Sequence, residues 1–409
     1  VRLSLATLEK QVLTSPPPGS LGDLFSSVSP DGRHLAFVRS NDVWVQRLGG
    51  GPARRLTSGH YTYCPGLAWA PDGVEIFYCH AVTGVALGIS RVRLAGGRPE
   101  PLAGVGPNAC WPTIRGDRLV YGQEIPAPWS LWRTPGRKAL PPDRAPEKLI
   151  ASSQPDYNPD YSPDGRRIAF ASERSGVANI WVCESDGTNP VQLTRFESYA
   201  GTPRWSPDGR KVVFDSPEKG NTDVWLIDAE GGIPRPLTHE TSEDFRGSWS
   251  RDGQWIYFVS DRTGTLQTWK MPTEGGPATQ VTRGGGNYAR ESGDGRHLYY
   301  TKGPHTGIWR VPVDGGEEIE VLPGPIPYFW DWALVRDGIY FAMEGGVSGR
   351  RHEYRLQFLD FGSGGVTELY RKEGAFSFGS LAVSPDERWI LHGESPLGES
   401  ELMLVENFR

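Results

Sequence analysis

The chain has 409 residues, with 43 Lys and Arg against 49 Asp and Glu, and a formal charge of −6 spread along its length. That balance, with no basic run, excludes a nucleic-acid-binding surface, and no apolar stretch approaches the roughly 20 residues a membrane-spanning helix needs. Four cysteines are too few for a disulfide framework, while 52 glycines and 35 prolines point to many turns.

From the N-terminus, residues 9–14 read as a lone strand ending in Leu13-Thr14, followed by the linker Ser15-Pro16-Pro17-Pro18-Gly19. A turn, Ser29-Pro30-Asp31-Gly32, then opens a pattern that recurs to the end of the chain. Its further copies are Ala70-Pro71-Asp72-Gly73, Ser162-Pro163-Asp164-Gly165, Ser206-Pro207-Asp208-Gly209, Ser250-Arg251-Asp252-Gly253, Ser292-Gly293-Asp294-Gly295 and Ser384-Pro385-Asp386-Glu387. Degenerate copies stand at Arg115-Gly116-Asp117 and Arg336-Asp337-Gly338. Pro pre-sets the first turn position, Asp caps the backbone and Gly tolerates a left-handed φ, so each copy is a tight turn between two strands.

A second landmark is an aromatic strand, carrying Trp44, Trp132, Trp181, Trp225, Trp269 and Trp309, that often runs into a Gly-Gly turn. A third closes each unit: Leu56-Thr57, Leu102, Leu149, Leu193-Thr194, Leu237-Thr238, Val281-Thr282, Val321 and Leu369, with Leu13-Thr14 as the copy that lacks a unit before it. Openings and closings alternate at about 44 residues, the spacing of a four-stranded blade, which excludes a helical solenoid.

The Ser-Pro-Asp-Gly-Arg turn, the Ile-Trp or Val-Trp strand and the closing Leu-Thr resemble the WD40-like (PD40) repeats of the TolB β-propeller family. Residues 161–194 and 205–238 are near-ideal copies, and the resemblance runs over essentially the whole chain. It implies a bacterial β-propeller in a periplasmic or extracytoplasmic location. Similar repeats form the extracytoplasmic half of membrane-anchored regulators and the propeller half of oligopeptidases, so the resemblance speaks for fold more than for function.

The expected fold is all-β: a single closed β-propeller over 1–409 with nine four-stranded blades, or eight if the third or the eighth repeat lies outside the ring. Residues 1–14 would supply the closing outer strand, 20–375 eight complete blades, and 376–409 the three inner strands of the last blade. Closure would pair residues 10–14 with 401–405, covering a sheet edge. The chain starts at Val1 rather than Met, which leaves room upstream for a leader, an anchor or a further domain.

Catalytic motifs are missing. There is no Gly-x-Ser-x-Gly elbow, no His-Glu-x-x-His and no phosphate-cradling glycine loop. Asp156 and Asp160 could offer oxygens to a calcium ion, but without an Asp-x-Asp-x-Asp-Gly loop a solvated turn is the simpler reading. A Cys64–Cys110 disulfide is conceivable from their positions in neighbouring repeats. No cofactor and no metal are expected.

One aromatic precedes the turn in most repeats: Phe25, Tyr63, Tyr157, Tyr199, Phe245, Tyr288, Phe329 with Trp330, and Phe378. These rings either plug the gaps between blades or form a rim of anchors around the channel mouth. The candidate ligand-binding set is Tyr157, Tyr199, Phe245, Arg246, Tyr288, Arg290, Trp330 and Asp331. The expected function is a non-catalytic, monomeric scaffold or sensor that holds a peptide, a protein segment or a small ligand there. The alternative is the propeller portion of an oligopeptidase- or glycosidase-like hydrolase.

Overall fold

The computed structural model describes residues 2–3, 10–16, 22–39, 42–57, 66–80, 87–106, 108–125, 128–140, 145–303, 306–326, 328–348, 351–373, 376–396 and 399–408. Every regular element among them is a β-strand, and they form antiparallel sheets of mostly four strands. The chain divides into two compact units, Val1–Pro126 with Gly398–Arg409, and Ala127–Leu397.

The repeat turn explains itself atom by atom. In Ser206-Pro207-Asp208-Gly209 the serine hydroxyl donates to Asp208 Oδ1 at 2.5 Å and accepts the Lys211 amide at 2.9 Å. Asp208 Oδ1 also accepts the Arg210 amide at 3.0 Å, and Gly209 sits at φ +71°. The same network recurs at Ser29, Ser162, Ser250, Ser292 and Ser384. These bonds to the charged form hold the carboxyls of Asp31, Asp164, Asp208, Asp252 and Asp294 below the usual range.

The closing Leu-Thr also has a physical cause. Thr194 Oγ1 donates to Asn179 Oδ1 at 2.8 Å and accepts the Ile180 amide at 2.9 Å, stapling the fourth strand to the head of the third. Thr57, Thr238 and Thr282 repeat this with Asp42, Asp223 and Gln267. Replacing Thr194 with valine keeps the shape but strands a buried amide. We expect a loss of about 1–3 kcal/mol in urea unfolding, whereas an unchanged midpoint would show that the staple is dispensable.

In the larger unit six sheets form one ring. Blade 1 combines Phe376–Val383 and Trp389–Pro396 with Ser130–Pro135 and Glu147–Ile150. Blade 2 is Asp156–Tyr161, Arg167–Ser172, Asn179–Glu184 and Val191–Gln192. Blade 3 is Gly201–Trp205, Lys211–Ser216, Asp223–Asp228 and Arg235–Pro236, and blade 4 is Asp244–Trp249, Trp255–Ser260, Gln267–Pro272 and Thr279–Gln280. Blade 5 is Asn287–Glu291, His297–Thr301, Ile308–Pro312 and Ile319–Leu322. Blade 6 is Trp332–Val335, Gly338–Ser348, Arg351–Asp360 and Val366–Glu373.

Each neighbouring pair in this ring is joined. Leu131, Ile150, Leu391 and Ala382 of blade 1 pack on Ile168 and Phe170 of blade 2. Trp205 Nε1 of blade 3 donates to the Asp160 carbonyl of blade 2, and Trp249 Nε1 of blade 4 to the Arg204 carbonyl of blade 3. Ser248 of blade 4 donates to the Ala289 carbonyl of blade 5, and Tyr288, Tyr299 and Ile308 of blade 5 pack on Trp332, Ile339 and Phe341 of blade 6. Tyr340, Ala342 and Phe358 of blade 6 pack on Leu381 and Ile390 of blade 1, which completes the circle.

Among the described residues the smaller unit shows three sheets and one two-stranded ribbon. Leu24–Val28, His34–Arg39, Asp42–Arg47 and Arg54–Arg55 form the first, and Leu67–Trp69, Glu75–His80, Gly88–Arg93 and Glu100–Pro101 the second. Ala109–Arg115, Arg118–Ile125 and Glu399–Val405 form the third.

The nine repeats thus give nine sheets of three or four strands among the described residues, with six of them in the ring. The expected closing pair is corrected. Glu399–Val405 runs along Arg118–Ile125 over seven residue pairs, and Lys10–Gln11 pairs with Arg2–Leu3 instead. Seven pairs outweigh the two that Lys10–Gln11 forms, and the register puts Met403 and Val405 on the apolar cluster around Leu119 and Tyr121. The third repeat is divided: its first two strands stay in the smaller unit, while Ser130–Pro135 and Glu147–Ile150 close the ring of the larger one.

Candidate functional site

Six inner strands flank the axis of the ring, and five carry a bulge at the same place. The register slips between Tyr157 and Asp160, Gly201 and Arg204, Phe245 and Ser248, Asn287 and Arg290, and Gly379 and Ala382. Inside each slip one non-glycine residue adopts a left-handed φ: Asn158 at 53°, Thr202 at 46°, Arg246 at 56°, Tyr288 at 48° and Ser380 at 47°. That conformation is disfavoured for any side chain, and strongly so for a β-branched one such as Thr202. Bulges of this kind bend a strand and re-aim its side chains.

The side chains so aimed meet across blades. The Arg204 guanidinium of blade 3 donates to the Tyr288 hydroxyl of blade 5 and, at 2.7 Å, to the Pro203 carbonyl. Asp160 Oδ2 of blade 2 accepts the Trp205 amide at 2.9 Å. Asp215 Oδ2 of blade 3 accepts the Thr202 hydroxyl and, at 2.7 Å, the Arg246 amide of blade 4. Arg246 Nη1 reaches Asn287 Oδ1 of blade 5 at 2.6 Å. Its guanidinium carbon lies 3.7 Å from the Phe329 ring centre and 5.8 Å from that of Trp330. Arg290 stacks on Tyr288 at 4.3 Å and donates to the Ala289 carbonyl at 2.9 Å.

Burial sets the electrostatics. It raises the Asp160 and Asp215 carboxyls from their ordinary value, with Arg204 and Arg246 among the groups that oppose it. It lowers Arg246 and Arg290 to about 10, so both guanidiniums keep their charge at neutral pH. It also raises the Tyr157 and Tyr199 hydroxyls, which stay protonated.

Of the eight residues expected at the mouth, Tyr157, Tyr199, Phe245, Arg246, Tyr288, Arg290 and Trp330 fall into this constellation. Tyr157, Phe245, Tyr288 and Arg290 lie within inner strands rather than in the loops before them. Tyr157 donates to Glu173 at 3.1 Å, and the Tyr199 ring lies over Gly201, where an added Cβ would collide with its hydroxyl. Trp330 stacks with Tyr328 and meets Phe329 edge-on. Tyr288 is only 2 % exposed, so its ring is packed core, and its hydroxyl is the end that reaches Arg204. Asp331 is fully buried, with its amide donating to the Tyr328 carbonyl and its carbonyl accepting the Ala342 amide. Tyr63 and Cys64, and the side chain of Phe378, lie outside the described residues.

Asn158, Arg204, Asp215, Thr202 and Asn287 went unnoticed in the sequence. A signal for several of them exists: counting back from the turn serine, Asp160, Arg204, Ser248 and Arg290 stand two residues before it. Asn158, Thr202, Arg246, Tyr288 and Ser380 stand four before it. Asp156 and Asp160 do not converge on a shared cation, because Asp156 pairs with Arg174 at 2.7 Å while Asp160 takes the Trp205 amide.

A ring of four-stranded antiparallel sheets around a polar axial cluster defines a β-propeller with its candidate site where the inner strands meet. Residues 143–318, which span most of the ring, match the TolB β-propeller domain family, PD40. That stretch is therefore similar to the PD40 repeats of TolB β-propellers. It is 31 % identical over 184 residues to an uncharacterized protein of Agrobacterium fabrum, across 41 % of this chain and 56 % of that protein's length. Among solved structures it is similar to a putative TolB from Agrobacterium tumefaciens, at 19 % identity, 84 % and 94 % coverage and a TM-score of 0.34. It is similar also to TolB of Acinetobacter baumannii, at 15 % identity, 93 % and 65 % coverage and a TM-score of 0.33. A puromycin-hydrolyzing peptidase of Mycobacterium tuberculosis matches at 14 % identity, 75 % and 53 % coverage and a TM-score of 0.43. Among the described residues no helix is long and apolar enough to cross a membrane.

Proposed function

We propose that the larger unit is a non-catalytic, extracytoplasmic binding scaffold whose channel mouth holds a peptide or protein segment. The observation that carries this reading is the run of left-handed bulges, which spends backbone strain of about 1–3 kcal/mol per residue to aim side chains of several blades at one axis. Half-buried Tyr157, Tyr199, Phe245 and Trp330 around charged Arg246 and Arg290 supply the aromatic and arginine anchors typical of binding hot spots. A hydroxyl–imidazole–carboxylate array does exist at Thr134, His392 and Glu394, with Thr134 Oγ1 2.8 Å from His392 Nε2. All three residues are at most 3 % exposed, so this array offers no hydroxyl to a substrate.

Panning a random peptide library against the protein tests the proposal. Enriched peptides should bind the parent protein and be recovered intact by mass spectrometry. Gly201→Ala, which displaces the Tyr199 ring, and Trp330→Ala should each weaken that binding by about 1 kcal/mol or more without lowering the melting temperature. Peptides that bind both variants as well as the parent would remove the mouth as the site, and peptides recovered cleaved would establish an enzyme.

A further inference from the structure

Some arginines of these repeats are neutralised by a carboxylate. Arg174 and Arg262 stand at one repeat position and pair with Asp156 and Asp244 at 2.7 and 2.9 Å, and Arg39 of the smaller unit pairs with Asp23 at 2.6 Å. Arg246 and Arg290 differ. Among the described residues neither guanidinium forms an ion pair; their partners are the Asn287 amide oxygen, the Ala289 carbonyl and aromatic faces. Asp215 and Asp160 act on them only at longer range, and a desolvated cation whose direct partners are neutral is costly unless an anion completes it.

We infer that the channel mouth recognises a carboxylate, held by the guanidinium of Arg246 beside the Phe329 and Trp330 rings and that of Arg290, which the buried Tyr288 ring backs. This rests on the binding-scaffold reading above and names the chemistry of its ligand. Asn287 and Tyr288, adjacent in blade 5, take the Nη1 of Arg246 and the stacked face of Arg290, so the two cations flank one dipeptide. Stacking fixes each guanidinium plane and leaves its edge for the in-plane, two-point geometry a carboxylate offers. Charge count favours a monoanion. Arg204, Arg246 and Arg290 bring three positive charges, and Asp160 and Asp215 two negative ones when ionised, so one carboxylate neutralises the cluster and a dianionic phosphate would leave it net negative. The rings beside the cations fit an apolar group next to that carboxylate, as at a peptide C-terminus ending in an aromatic or aliphatic residue.

The test uses N-acetyl-tryptophan as the free acid and as the amide, followed by saturation-transfer NMR and calorimetry on the whole chain. The acid should bind at least about tenfold more tightly than the amide, as loss of a charge-assisted pair requires. Arg246→Gln and Arg290→Gln should each erase that preference without lowering the melting temperature, because each removes a cation that lacks an ion-pair partner. Arg290→Lys should keep part of the preference and lose the two-point geometry, and it serves if a glutamine variant does not fold. Resynthesising panned peptides as C-terminal acids, amides and Asp/Glu-neutralised forms separates an α-carboxylate from an acidic side chain. Equal binding of acid and amide, lost on Trp330→Ala, would overturn the carboxylate assignment and leave the scaffold reading standing. If neither probe binds and no peptide enriches, both readings fall.

Discussion

Leu391→Ala is expected to destabilise the six-bladed unit by about 2–5 kcal/mol, the cost of a cavity at a fully buried leucine. Leu391 lies on Trp389–Pro396, the second strand of blade 1, facing Ala382 on one side and Arg133 on the other. It also packs in the cluster that carries Leu131, Ile150, Ile168 and Phe170, so the same cavity weakens the contact with blade 2. Blade 1 is the sheet in which the two ends of the unit meet, and its strands join residues as far apart in sequence as Thr134 and His392. Loosening it should open the ring, with faster proteolysis as well as a lower urea midpoint. Leu404→Ala, on a strand of the smaller unit and 55 % exposed, should leave both readouts nearly unchanged. The opposite ranking would mean that the ring is not sealed through blade 1.

Acidification is expected to destabilise the protein through His392. An ordinary histidine titrates near pH 6.5, but complete burial, reinforced by the nearby Lys372 charge, holds His392 down to about 3. Between those values the unfolded chain carries a proton that the native protein lacks. Stability therefore falls as pH drops below about 6.5, by roughly 1.4 kcal/mol per unit, and the loss levels off near pH 3. Asp160, Asp215 and Glu394 act in the opposite sense, because burial raises their carboxyls and the native state takes up those protons before the unfolded chain does. The comparison that isolates His392 is with His392→Gln, whose amide can still meet the Thr134 hydroxyl. Urea unfolding from pH 7.5 to 4.5 should show the parent losing about 2–3 kcal/mol relative to the variant. Parallel curves would mean that His392 titrates normally in the fold.

Much of this molecule was legible in its sequence because the chemistry involved is local. The turn network at Ser206, Asp208 and Gly209 closes within six residues, from Ser206 to Lys211, so residue types and spacing suffice to specify it. Thr194 reaches the head of the preceding strand within its own repeat, and its position was readable for the same reason. The aromatics before each turn were found too, since alignment on the turn serine brings them into register.

Two things were decided only by tertiary structure. The first is which strands share a sheet. Ser130–Pro135 chose Trp389–Pro396, and Glu399–Val405 chose Arg118–Ile125, because pairing across so long a stretch of chain depends on whole sheet faces finding apolar partners. A repeat motif records that a blade exists, not which ring it joins. The second is the charge state of the axis. Arg246 and Arg39 both lie over aromatic rings, yet Arg39 also pairs with Asp23 while Arg246 has the Asn287 amide oxygen as its hydrogen-bond partner. Asp23 stands 16 residues before Arg39, whereas Asn287 and Phe329 reach Arg246 from blades one and two repeats away, and only closing the ring brings those blades to a common centre.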